Sequence, residues 1–183
     1  FVAWYNGHPD FKDLEFDLSQ EKVSVIGVGN VAIDVARILC LSPDELARTD
    51  IADYALEALS NSGVKEVYIL GRRGPVQAKF TTPEVKELAE LEDTDVFVLP
   101  EEAELDELSQ QELATNADRG TARKVELLQS YADNEPTGKP KQLTLRFLVS
   151  PVEMFGDDDG NVQSLRLVKN ELYLTEAGTS RPR

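Results

Sequence analysis

An α/β fold, in which helices cover a parallel sheet and an antiparallel hairpin is appended, is predicted by three observations. Short apolar runs alternate with helix-period segments through the first half of the chain, as strands and helices do around a parallel sheet. The run Val23-Ser24-Val25-Ile26 passes directly into a glycine-rich turn and then a helical segment. Further on, two partly alternating runs flank Asp157-Asp158-Asp159-Gly160-Asn161, a hairpin turn signal. The 183 residues fit one domain and are enough to bury a real core.

Each element can be justified in order. Residues 1–20 carry Trp4-Tyr5-Asn6-Gly7-His8-Pro9 and show no clear period, so they read as a turn-rich connecting segment. A first strand is expected over about Lys22 to Ile26. The glycine turn then opens a helix from about Asn30 to Leu41, with Val31, Val35, Ile38 and Leu39 on one face. Ser42-Pro43-Asp44 breaks it. Ala55, Leu56 and Leu59 mark another helix, with Ser62-Gly63 as its expected C-terminal cap. The second strand covers about Glu66 to Leu70, and Gly71 to Gln77 is a loop. Thr82-Pro83-Glu84 has the form of a capped helix start, with proline in the first turn and an acid near the positive end of the dipole; that helix extends to about Leu91. Val96 to Leu99 is a buried strand ended by Pro100. From about Asp106 to Tyr131 the pattern is polar and helical, interrupted near Gly120. Leu143 to Val149 and Val162 to Val168 are expected to be the antiparallel appendage.

Composition excludes several function classes. Acidic residues outnumber basic ones 34 to 19, for a formal charge of −15, which opposes nonspecific attraction to nucleic acid or anionic lipid. No apolar run approaches membrane-spanning length and no signal peptide is visible; for a soluble, disulfide-free chain a cytoplasmic location is the expectation, with a mitochondrial matrix parent as the alternative. Cys40, the only cysteine, precludes an internal disulfide and any cysteine cluster for zinc or iron–sulfur. Within Ile38-Leu39-Cys40-Leu41 it reads as a small buried residue. His8 lies in a turn, where a structural role is expected. Asp157 to Asn161 cannot be a calcium loop, because with Gly160 as its sixth position the first and twelfth would be Phe155 and Arg166. The chain begins without methionine and reads as a piece of something longer.

Two constellations carry chemistry. Gly27-Val28-Gly29-Asn30-Val31-Ala32 is a G-x-G-x-x-A turn between strand and helix, which marks a Rossmann-like dinucleotide site. Gly27 permits the tight turn and Gly29 admits a pyrophosphate to the helix N-terminus, where the amides and the dipole favour an anion. Arg72 and Arg73 stand where the second strand ends, beside the adenosine ribose. An acid there would favour a free 2′-hydroxyl; two guanidinium groups favour a 2′-phosphate, and hence NADP(H) over NAD. They lie 45 residues after Gly27, whereas the minimal unit needs about 20. The inserted helical stretch Ser42 to Ser62 explains the excess.

Taken together, Trp4-Tyr5-Asn6-Gly7, Gly29-Asn30-Val31-Ala32 with Asp34-Val35-Ala36-Arg37, Thr49-Asp50-Ile51, Gly71-Arg72-Arg73-Gly74-Pro75, Phe80-Thr81 and Glu84 resemble the adrenodoxin reductase-type ferredoxin–NADP reductases. The resemblance is dense from Phe1 to about Leu91 and looser beyond. It implies a flavoprotein that moves hydride from NADPH to FAD and single electrons onward to ferredoxin. It also implies that residues 1–183 are a single NADPH-binding domain, that 1–20 and 171–183 connect it to the FAD domain of the same parent, and that FAD is not bound by this chain. Carried over residue by residue, it implies that Val28, Gly29, Asn30 and Val31 line the pyrophosphate, that Arg72 and Arg73 hold the 2′-phosphate, and that Glu84 holds the adenosine ribose region. Asp34 and Glu87 match acids near the meeting point of nicotinamide and flavin, although Asp34 also reads as a helix residue paired with Arg37. Arg119, Arg123 and Lys124 are expected to form a basic patch for an acidic ferredoxin. A flavoprotein subunit of glutamate synthase type and a non-catalytic nucleotide sensor are the alternatives.

Overall fold

The computed structural model describes residues 1–115 and 118–183. In chain order its elements are α1 (Val2–Tyr5), a 3₁₀ turn (Pro9–Phe11), β1 (Lys22–Ile26), α2 (Asn30–Cys40), α3 (Pro43–Leu46), α4 (Asp53–Ser60), β2 (Glu66–Leu70), α5 (Thr82–Leu88), β3 (Thr94–Val98), α6 (Pro100–Ala103), α7 (Glu107–Thr115), α8 (Arg119–Ala132), β4 (Lys141–Arg146), β5 (Val149–Gly156), β6 (Val162–Lys169), β7 (Leu172–Leu174) and β8 (Ser180–Pro182). Four strands form one parallel sheet in the order β1-β2-β4-β3. β5 with β6, and β7 with β8, are antiparallel pairs. The predicted fold class is the observed one.

The strands alternate because only one face of the sheet meets the helices. Val67 and Ile69 of β2, Leu143 and Leu145 of β4, and Val96 and Val98 of β3 are buried in one apolar cluster with Ile33, Ala36, Leu88 and Leu128 of the helices. On the opposite face, Ser24, Ile26, Tyr68 and Arg146 look across a hollow of about 680 Å³ towards Met154, Val162, Leu165 and Leu167 of the β5–β6 hairpin. Burial of the first face is the main stabilising term of the fold.

β1 stands at the edge of this sheet. Its odd-numbered backbone groups face β2, as Gly27 N donating to Leu70 O (2.9 Å) and Glu21 O accepting from Lys65 N (2.8 Å) show. By strand alternation the groups of Lys22, Ser24 and Ile26 point the other way, and among the described residues no strand pairs there.

Several elements differ from the sequence reading. The largest difference concerns Leu143 to Val149, which was expected in the hairpin. Lys141–Arg146 instead lies inside the parallel sheet between β2 and β3, and the hairpin partner of β6 is Val149–Gly156. Leu148, between β4 and β5, has φ 55°, an uncommon left-handed conformation for a residue with a side chain. α2 buries Ala32, Ile33, Ala36, Ile38, Leu39 and Cys40, while Val31 in its first turn is 63% exposed. α4 ends on Asn61, without the left-handed glycine cap expected at Gly63. Thr81, not Thr82, precedes α5, which stops at Leu88. The helical break falls before Gly120, which sits in the first turn of α8; residues 116 and 117 lie outside the described residues.

The first residues are packed rather than loose. Phe1 and Trp4 stack at 5.4 Å, Phe16 meets both edge-on, and Tyr54 Oη donates to Trp4 O at 2.8 Å. His8 has the structural role expected of it: its Nδ1 accepts from Asp10 N and caps the 3₁₀ turn. No helix among the described residues is long and apolar enough to cross a membrane. No group of three or more metal-ligating side chains occurs among them either.

Candidate dinucleotide-binding site

A cleft of about 620 Å³ opens at the C-terminal ends of β1 and β2, where ligands of parallel sheets bind. Ile26, Gly27, Val28 and Gly29 form one wall, Leu70, Arg72 and Arg73 another, and Gln77, Lys79 and Val149-Ser150-Pro151 complete it. The glycine turn and the arginine pair, far apart in sequence, therefore line one space.

The turn has the local geometry an anion needs. Gly27 has φ 129°, a conformation that a side chain would strain. No atom lies within 4 Å of where a Cβ would stand on Gly27 or Gly29, so the space above the turn is free. α2 starts at Gly29 without a side-chain cap. Gly29 O accepts from the amides of Ala32 and Ile33, and among the described residues those of Asn30 and Val31 remain as unpaired first-turn donors. Those donors, the free space and two unpaired cations nearby fit a phosphorylated dinucleotide.

The arginine loop is held through its backbone. Gly71 N donates to Arg146 O (2.8 Å), and Gly71 O accepts from Val149 N (3.0 Å). Arg72 O accepts from the Asn170 side chain (2.9 Å), and Arg73 O accepts from Leu148 N (3.1 Å). Asn170 is 6% exposed and also bonds Ser150 Oγ at 2.8 Å. A Cβ on Gly71 would stand 2.6 Å from Val28 Cγ1, so this glycine brings the arginine loop against the glycine turn. Neither guanidinium lies within salt-bridge distance of a carboxylate among the described residues.

A second set of bonds joins the glycine turn to the segment before α5. Val28 O accepts from Lys79 N (2.7 Å) and Phe80 N (3.1 Å). The Asn30 side chain accepts from Thr81 N (3.0 Å) and donates to Glu84 Oε1 (3.0 Å). Among the described residues, neither Glu84 Oε2 nor Gln77 Oε1 beside the cleft, both buried, has a hydrogen-bond partner. Asn30 thus serves as a clamp through its side chain, while its backbone amide faces the turn.

The remaining predicted residues fall elsewhere. Asp34 and Glu87 come together around Arg37, at 3.6 and 3.7 Å, and do not line the cleft. Asp34 also helps to raise the Tyr5 phenol, after burial, which is the larger cause. The expected basic patch is broken up. Lys124 is 5% exposed and points its ammonium at Ala78 O (2.5 Å) and Val76 O (3.5 Å). Burial, with Lys79 nearby, pushes its proton affinity down. Arg123 is paired with Glu126 at 2.8 Å, and only Arg119 and Arg123 are exposed. Lys124 lies on the buried face of α8, at the helical spacing of Val125 and Leu128, so it cannot belong to a surface patch. Cys40 is buried, as expected, and its thiol is pushed up to about 12 by desolvation.

Gln77, Lys79, Leu148 and Asn170 were not found from the sequence. Only Lys79, a cation six residues beyond Arg73, left a sequence trace that could have suggested it.

No family model matches the chain. NADPH-ferredoxin reductase FprA of Mycobacterium tuberculosis is 47% identical over 178 residues, covering 97% of this chain and 38% of that protein. A probable ferredoxin/ferredoxin–NADP reductase of Mycobacterium bovis is 43% identical over 97% of the chain and 31% of its own length. The mitochondrial NADPH:adrenodoxin oxidoreductase of Arabidopsis thaliana is 37% identical over 97% and 38%. The solved structure of M. tuberculosis FprA in complex with NADPH superposes with a TM-score of 0.91 at 45% identity, over all of this chain and 39% of that one. The chain therefore spans well under half the length of the relatives it matches.

Proposed function

We infer that this chain, homologous along nearly all its length to one segment of the NADPH–ferredoxin reductases, is the NADPH-binding unit of a reductase of that family. The observation that carries the reading is the meeting of the open glycine turn with the unpaired Arg72 and Arg73 in one cleft. The diphosphate would lie over Gly27 to Gly29, on the amides of Asn30 and Val31. The two guanidinium groups would hold the 2′-phosphate, and Glu84, oriented by Asn30, would face the adenosine ribose region. NADPH, when bound, supplies hydride; this chain's residues bind and orient it and recognise its phosphates.

For the whole parent protein, the reading extends to an FAD-containing oxidoreductase that passes electrons to a ferredoxin, with residues 1–20 and 171–183 connecting to the remainder. The relatives' names favour this over the glutamate synthase-type or sensor alternatives. Asp34 and Glu87 are proposed to serve the nicotinamide end through Arg37, which lies between them. If so, Asp34→Asn in the parent lowers kcat while leaving the affinity for NADPH within about threefold; a change confined to KM would remove the assignment.

The central test is calorimetry on Arg72→Glu with Arg73→Glu. Two charge-assisted phosphate contacts are each worth about 1.5–3 kcal/mol, so NADPH binding should weaken by at least about 100-fold. NADH binding should change far less. Equal losses for both nucleotides would overturn the 2′-phosphate assignment.

A further inference from the structure

We propose that Lys79 is a third phosphate-holding cation of this cleft, seated on the diphosphate bridge rather than on the ribose phosphate that Arg72 and Arg73 face. The proposal deepens the nucleotide-binding reading and rests on it. Its first support is position. Lys79 N donates to Val28 O at 2.7 Å, and Phe80 N follows at 3.1 Å, so the lysine backbone is bolted to the middle of the glycine turn. The arginines, by contrast, follow the end of β2, and neither their amides nor their carbonyls bond the glycine turn.

Its second support is charge. The Lys79 side chain is exposed, lines the cleft, and has no carboxylate within salt-bridge distance among the described residues. Beneath it, the buried Lys124 ammonium is held by the carbonyls of Val76 and Ala78, and among the described residues no carboxylate lies within salt-bridge distance of it either. Lys79 is close enough to disfavour the charge on Lys124. Asp118 and Glu112 lie near enough to favour the charge on Lys124, so the charge that a bound diphosphate would neutralise is that of the exposed Lys79 ammonium, in a chain whose net charge is otherwise −15. The hydrogen bonds of Lys124 also fix the backbone that delivers Lys79 to the turn.

The two kinds of phosphate can be told apart with three ligands. NADPH carries both, NADH carries only the diphosphate, and 2′-AMP carries only the ribose phosphate. Calorimetry on Lys79→Met should show NADPH and NADH weakened alike, by about 10-fold, with 2′-AMP unchanged. Lys79→Arg, which keeps the charge, should restore both dinucleotides to within about threefold. Unchanged 2′-AMP binding also shows that the variant is folded. Loss of NADPH and 2′-AMP with NADH spared would overturn the proposal by moving Lys79 to the ribose phosphate. Unchanged binding of all three would overturn it outright. If the unsubstituted chain binds neither dinucleotide, the cleft reading itself falls, which is a distinct result.

Discussion

Asn170 does not line the cleft, yet its side-chain amide holds the carbonyl of Arg72 and thereby the direction in which the arginine pair points. Asn170→Ala would leave the Arg72 carbonyl and Ser150 Oγ short of a donor, at a cost of about 1–3 kcal/mol. The same substitution should weaken NADPH more than NADH, because the displaced groups are those facing the 2′-phosphate. Calorimetry with both nucleotides checks this, and equal losses would indicate a purely structural role. Cys40 gives a second expectation at this scale. Burial raises its thiol from 9.0 to about 12, so the folded protein keeps a proton that the unfolded chain releases earlier. The associated stability is complete below about pH 9 and is lost as pH rises towards 12. At about pH 8.5 iodoacetamide should therefore modify Cys40 rapidly in concentrated urea and hardly at all in buffer; comparable rates would show that the site opens.

Among the elements, β1, β2 and the start of α2 were legible because each obeys a strong local rule: a short β-branched run, a glycine turn, and an uninterrupted helical period. Arg72 and Arg73 were legible as charges at the end of a strand. β4 was not, and the reason is physical. Parallel strands usually read as continuous apolar runs because both sheet faces are covered. Here Leu143 and Leu145 face the core while Thr144 and Arg146 alternate onto the other face, where Arg146 lines the hollow under the hairpin, so the strand carries the alternation of an antiparallel one. Lys124 misled for a similar reason, since its position on the buried face of α8 is masked by its charge. The far end of β4 depends on an ion pair between elements. Glu102 of α6, 4% exposed, accepts from Arg146 at 2.7 Å and from Phe147 N at 2.8 Å. Glu102→Gln would leave a partly buried guanidinium without its counter-charge, so the urea midpoint should fall by the equivalent of about 3 kcal/mol. A loss under about 1 kcal/mol would show that water replaces the carboxylate.

Over the whole molecule, an excess of negative charge surrounds a cleft whose own side chains are cationic. Far from the cleft the field repels a phosphorylated nucleotide; within it Arg72, Arg73 and Lys79 attract one. Salt screens both, but the close contacts dominate the equilibrium. Raising the ionic strength from about 0.05 to 0.5 M should therefore lower NADPH affinity several-fold, and NADH affinity by less, since it brings one phosphate fewer. A salt-independent affinity would mean that the cations do not touch the ligand.

The unpaired edge of β1 has a practical consequence for the chain on its own. It offers a ready template to the backbone of a second molecule, so concentrated solutions should form reversible associations that grow through strand addition rather than through side-chain contact. Position matters more than composition in suppressing them. The Ser24 amide points outward, so Ser24→Pro should remove a sticky donor without losing a bond to β2, whereas Val25→Pro, whose amide points inward, should unfold the strand. Sedimentation velocity at rising concentration distinguishes the cases: slower-sedimenting, monomeric material for the first variant, and misfolded or absent material for the second.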